Sequence, residues 1–136
     1  LDALHERTAL LRAISDTSSD AIFAKDREGR VRFANPATVA LIGKPAEEVV
    51  GHTDAEFIED AELARRVMEV DQRIMQTGVA EEVEEIIPTR GGRDLVWQSR
   101  KTPCRDESGA VAGVLGVSRD ITEHKRAEVE LRRAHE

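Results

Sequence analysis

The sequence predicts an α+β fold: a five-stranded antiparallel sheet with helices on one face, flanked by amphipathic helices at both ends. Three observations predict it. Two short strand-like runs, residues 21–25 and 30–34, flank a turn that ends in Gly29, which reads as a β-hairpin. Helical spacing then fills residues 36–76, broken by Gly43 and Gly51 and stopped at Gly78. Three further strand-like runs, residues 79–88, 93–103 and 109–122, close the sheet, and their short connections make them an antiparallel meander.

Each element has a local cause. Residues 1–14 place Leu4, Leu11 and Ile14 at helical spacing beside Leu10, with charges on the other side. Residues 15–20 are turn and cap formers. Asn35 caps a short helix whose first position is Pro36, where the missing N–H costs nothing. A second short helical piece covers residues 45–50, and residues 52–58 are less regular. From residue 59 or 60 to 76, Leu63, Val67, Val70 and Ile74 form one stripe. Arg90-Gly91-Gly92 and Asp106-Glu107-Ser108-Gly109 turn the chain between the last strands. In the final strand Val114, Gly116 and Ser118 share one side, and Leu115, Val117 and Arg119 the other. Apolar residues on both sides predict burial of both faces, with the N-terminal helix as cover from its own chain or from a second copy. The glutamates of residues 81–85 read as a solvated strand edge that resists edge-to-edge pairing.

Composition narrows the function. The 136 residues suit one domain. A net charge of −7 argues against nucleic acid as a partner, since phosphate binding needs a basic face. Cys104 is the single cysteine, so no internal disulfide forms, and a reducing, cytoplasmic setting is expected. No apolar run reaches the ~20 residues of a membrane helix, and membrane attachment of the parent protein is left open. The chain opens at Leu1 and ends within a predicted helix, as expected of a segment of a longer protein. No nucleophile–base pair, phosphate loop or catalytic pair of acids is present, so no enzymatic activity is expected of this segment alone. His5, His52, His124 and His135 have no ligand spacing, and no metal site is predicted.

Several short motifs recur in one order: Ser19-Asp20-Ala21-Ile22-Phe23, Lys25-Asp26-x-x-Gly29, Asn35-Pro36-Ala37, Lys101-Thr102-Pro103-x-Arg105-Asp106-x-x-Gly109, and Gly113-x-x-Gly116-Val117-x-Arg119-Asp120-Ile121-Thr122-Glu123. In this order the chain resembles a PAS sensor domain over nearly its whole length, including the Asp-Ile-Thr ending that feeds a signalling helix. The resemblance implies an N-terminal helix over residues 1–18, a PAS domain over 19–122 and the start of a linker helix over 123–136. It implies a module of a bacterial signalling protein such as a histidine kinase of a two-component system or a diguanylate cyclase. Such a module binds a small organic ligand, dimerises, or does both, and passes a conformational signal to a C-terminal effector of the same chain. A purely structural dimerisation linker with a filled core is the alternative.

The same resemblance defines candidate residues. Pocket walls would be Phe23, Phe33, Leu41, Phe57, Leu63, Val67, Trp97, Val114, Gly116 and Ser118, with Lys25, Asp54, Ser99 and Lys101 as polar members. Plain core packing is the preferred reading of every apolar one of these, and Trp97 is large enough to fill the space. A rim lysine suits a carboxylate ligand, but an ion pair with Asp54 that closes the rim is the preferred reading. No cofactor is named. Residues 51–58 lack the cysteine of flavin photosensors, Ser118 is too short to replace their flavin-contacting Gln, and residues 59–77 lack the histidine of haem-binding members. Arg119, Asp120, Ile121 and Thr122 are the candidate hinge, where Asp120 can accept N–H bonds at the helix start or pair with Arg119. Leu4, Leu10, Leu11, Ile14, Leu115 and Val117 are the candidate contacts of a homodimer.

Overall fold

A computed structural model describes residues 3–87 and 94–136. The elements run α1 (Ala3–Thr17), β1 (Ala21–Asp26), β2 (Val31–Ala34), α2 (Pro36–Ile42), α3 (Ala46–Val49), α4 (Asp54–Phe57), α5 (Ala61–Thr77), β3 (Glu81–Ile87), β4 (Leu95–Arg105), β5 (Val111–Asp120) and α6 (Thr122–Ala134). The five strands form one antiparallel sheet in the order β2-β1-β5-β4-β3. β5 thus lies in the centre, between the N-terminal hairpin and the C-terminal meander. The Arg90-Gly91-Gly92 turn lies outside the described residues.

Local chemistry sets the turns. Asp26 Oδ1 accepts the N–H groups of Glu28 and Arg30, both at 3.0 Å, and Gly29 takes the left-handed φ of +81° that closes this turn. Asp106 repeats the device before β5, accepting from Ser108 and Ala110. Asp60 caps α5 through the N–H groups of Glu62 and Leu63, both at 3.1 Å. The segment after Gly51 contains a single helical turn, α4, which brings Asp54 and Phe57 inside.

Asn35 joins three elements. Its Oδ1 accepts from Thr38 N, Thr38 Oγ1 and Ile22 N at 3.0, 2.7 and 2.9 Å, and its Nδ2 donates to Ser15 O and Asp20 O, both at 2.9 Å. One buried amide therefore caps α2, starts β1 and holds the end of α1.

The inner face of the sheet carries Phe23, Lys25, Trp97, Ser99, Lys101, Val114, Gly116 and Ser118, and α5 packs against it. Val31, Val49 and Phe57 form an apolar cluster beneath α2–α4. The outer face is not covered by the described residues. Leu115 and Val117 are exposed, as are Leu4, Leu10, Leu11 and Ile14 on α1. The expected burial of both faces of β5 is therefore not met by this chain's own helix. Cys104 is exposed, because it follows Lys101 by three positions and so falls on the outer face.

Candidate functional site

Between α2, α4, α5 and the inner sheet face lies a cavity of about 120 Å³. Among the predicted residues, Phe23, Lys25, Leu41, Asp54, Phe57, Val67, Trp97, Ser99, Lys101 and Ser118 line it. Val31, Thr38, Ile42, Ile58 and Glu85 complete the wall. Trp97 forms one side and does not fill the space.

Four predicted residues lie elsewhere. Phe33 pairs with Ala24, and so points to the opposite face from Phe23; an irregularity between Ala24 and Lys25 lets Val31, partner of Lys25, take the inner position. Leu63 lines a separate groove between α5 and β3 with Val70 and Val83. Val114 is fully buried in the sheet beside the cavity. Gly116 lies under the Phe23 ring: a Cβ there would stand 2.3 Å from Phe23 Cζ. Its missing side chain is what allows the ring to pack against β5 and wall the cavity.

The polar floor is a chain of four buried charges. Lys25 Nζ donates to Asp54 Oδ2 at 2.6 Å and to Asp71 Oδ2 at 2.7 Å, and Lys101 Nζ donates to Asp71 Oδ1 at 3.1 Å. All four side chains are 3–6% exposed. Two ammonium groups balance two carboxylates, which is the condition under which buried ions persist. Burial works against the charge on Lys25, but Asp54 and Asp71 outweigh it, so its pKa is raised above the ordinary lysine value. The ammonium also stands 5.4 Å from the centre of the Phe23 ring.

The preferred Lys–Asp54 pair is thus present, made by Lys25. Asp71 is a partner that the apolar stripe of α5 conceals. It occupies the same helical face as Ala64, Val67 and Ile74, and a lone carboxylate at such a position is the signal that a cation waits opposite. Ser99 and Ser118 complete the polar lining, their hydroxyls 2.7 Å apart across paired strands. Trp97 Nε1 is buried and has no hydrogen-bond partner among the described residues, an omission that ordinarily costs about 1–3 kcal/mol.

The candidate hinge is tied to the same strand as Trp97. Trp97 faces Asp120 in register. Thr122 Oγ1 accepts from Val96 N at 2.8 Å and donates to Asp120 Oδ1 at 2.5 Å, while Ile121 N donates to Val96 O at 2.9 Å. Asp120 Oδ1 also accepts from Thr122 N at 2.9 Å. Asp120 thus binds the start of α6, and Arg119 pairs instead with Asp20, at 3.1 Å. Lys125 of α6 reaches Glu84 of β3 at 3.1 Å. Among the described residues no cluster of metal-ligating side chains is present, and no helix is long and apolar enough to cross a membrane.

A family model described as the PAS fold matches residues 15–126. The methanogenesis regulatory histidine kinase FilI of Methanothrix harundinacea is 35% identical over 135 residues, which cover 96% of this chain and 15% of FilI. The PAS domain of Bordetella pertussis BvgS superposes with a TM-score of 0.74 at 28% identity, covering 96% of this chain and 95% of that one. A ligand and DNA complex of Vibrio cholerae VqmA gives a TM-score of 0.72 at 28% identity over 86% of this chain and 50% of that one, and another VqmA structure is described as bound to DPO. This chain therefore spans a small part of its kinase relative and half of VqmA. With the five-stranded sheet, its helical cover and the match across residues 15–126 together, the chain belongs to the PAS family.

Proposed function

We propose that the chain is the sensory module of a longer signalling protein, in which a small organic ligand occupies the cavity and its presence is read by α6. Residues 19–122 form the sensor, residues 1–18 a dimerising helix and residues 123–136 the start of the linker to a C-terminal effector. FilI supports a histidine-kinase effector, and VqmA supports a ligand-binding role for this architecture. The observation that carries the reading is the cavity itself. A core with no task would close over Trp97, whereas here about 120 Å³ remains beside an indole N–H with no partner among the described residues.

The route to α6 is short. Any ligand that displaces Trp97 also displaces Val96, whose N–H and C=O hold Thr122 and Ile121. The shift it produces is limited by its difference in affinity for the two states. The module has no catalytic role of its own. Its setting is cytoplasmic, and with a net charge of −7 it is not itself a nucleic-acid surface. Two copies associate through the exposed Leu4, Leu10, Leu11 and Ile14 of α1 and the outer-face Leu115 and Val117.

Native mass spectrometry of the purified domain tests this, with analysis of what denaturation releases. A defined small adduct lost on denaturation is the expected result. A clean ligand-free dimer that stays ligand-free after incubation with extract metabolites would replace the sensor with a dimerisation linker.

A further inference from the structure

The polar atoms of the cavity that are left without partners describe what the cavity takes. Resting on the sensory reading above, we infer that the ligand is a one-ring molecule without negative charge, with a hydrogen-bond acceptor for Trp97 Nε1 and Lys101 Nζ and a donor for Asp54. Size sets the first limit: about 120 Å³ is close to the ~150 Å³ of an apolar protein cavity that admits benzene. Charge sets the second. Lys25 and Lys101 are already balanced by Asp54 and Asp71, and Glu85 stands in the wall, so an anionic ligand would find no free cation and would bring an unmatched negative charge into a largely apolar space.

Open valences set the third. Trp97 Nε1 donates to no described residue. Lys101 has three N–H donors and uses one, on Asp71. Of the two serine hydroxyls that bond each other, one hydrogen is spare. On the accepting side, Asp54 uses Oδ2 for Lys25, and its Oδ1 accepts from no described residue. Donors thus gather on β4 and the free acceptor lies with Lys25 of β1. Lys25 and Lys101 share the Asp71 carboxylate, so the Lys101 ammonium and Asp54, which bonds Lys25, lie within the reach of one ring. A ring with an acceptor on one edge and an N–H or O–H on another meets both, and Phe23, packed against Gly116, gives it a surface to stack on.

The single tryptophan makes the test direct, because the domain has one indole N–H resonance. We would titrate the ¹⁵N-labelled domain with 2-pyridone, benzoate and benzene, which match the cavity in size and differ in charge and polarity. The expected result is that 2-pyridone moves the indole resonance and binds roughly tenfold more tightly than either of the others, the margin of about one good hydrogen bond. Trp97→Phe, which keeps the stacking surface, should remove most of that margin, and calorimetry reads it without the indole. Preference for benzoate, binding of 2-pyridone that leaves the indole unmoved, or binding of none of the three at millimolar concentration overturns the inference. If an adduct is nevertheless released from the native domain, the sensory reading stands and only the ligand class falls. If no adduct is found and none of the probes binds, both fall.

Discussion

Lys25 Nζ lies 2.7 Å from Asp71 Oδ2, although the two residues are 46 positions apart. The long helix is thereby held to the first strand by a buried charge, and Asp71 holds Lys101 of β4 as well. Removing Asp71 leaves Lys25 with Asp54 but strands the buried Lys101 ammonium in an apolar wall. Asp71→Ala is expected to cost about 3–5 kcal/mol, the usual penalty for breaking a buried pair from one side. Replacing all four members with apolar residues of similar volume (Lys25→Met, Asp54→Leu, Asp71→Leu, Lys101→Met) should leave the domain folded and about as stable as the parent, or more so. Urea denaturation of both variants checks this, and a cost below about 1 kcal/mol for Asp71→Ala would mean that water reaches the cluster.

The hairpin turn predicts a pH dependence. Burial raises the Asp26 pKa, but the Arg30 N–H, the Arg32 guanidinium and the Glu28 N–H together outweigh it and hold the carboxyl below its ordinary 3.8. A group whose folded pKa is depressed stabilises fully above its unfolded value and loses that contribution as pH falls through the folded one. Asp26→Asn should therefore be less stable than the parent at pH 6, and the gap should shrink as pH falls below 3.8. Denaturant midpoints of the pair at neutral and strongly acid pH give the comparison, and a gap independent of pH would contradict it.

Much of the fold is legible because its signals are local. Asn35-Pro36, the two Asp-x-x-Gly turns, Gly78 and the alternation of β4 each act within a few residues. The site is legible where alternation puts side chains on one face, as for Lys25, Ser99, Lys101 and Ser118. It is not legible where a long-range choice decides. Phe33 leaves the cavity because of a one-residue irregularity opposite Ala24 and Lys25, and nothing in residues 21–34 announces it. Asp71 belongs to the site because two cavity-lining lysines from distant strands meet on its carboxylate, while its neighbours in sequence read as an ordinary amphipathic stripe. The position of α1 depends on what covers Leu10, Leu11 and Ile14, and no described residue does.

Gly116 offers a separate check on the cavity wall. A Cβ at this position would lie 2.3 and 2.4 Å from two atoms of the Phe23 ring, so the ring must tilt away from β5 into the cavity. Gly116→Ala is expected to destabilise by about 1–3 kcal/mol, the range for overpacking, and to reduce the cavity volume. Thermal unfolding measures the first effect. Loss of ligand affinity with the fold retained by circular dichroism measures the second. Phe23→Leu in the same background should recover stability, because the smaller side chain clears the new methyl group.

The last prediction concerns transmission. Thr122 Oγ1 is the acceptor for Val96 N and the donor to Asp120, so one hydroxyl connects the start of α6 to the residue beside Trp97. Thr122→Val keeps the shape and removes both bonds. The Val96 N–H, inside the sheet edge, then has no acceptor, which costs about 1–3 kcal/mol. That cost falls locally, because Ile121 N still bonds Val96 O and the cavity residues are untouched. Amide exchange in α6 should accelerate at least tenfold, while exchange in β1 and α5 stays as in the parent. In the full-length protein, Thr122→Val should leave ligand affinity near its parent value and abolish the ligand's effect on the effector. Equal loss of affinity and output would instead mean that Thr122 supports the fold as a whole and that the signal leaves the domain by another route, such as the Lys125–Glu84 contact.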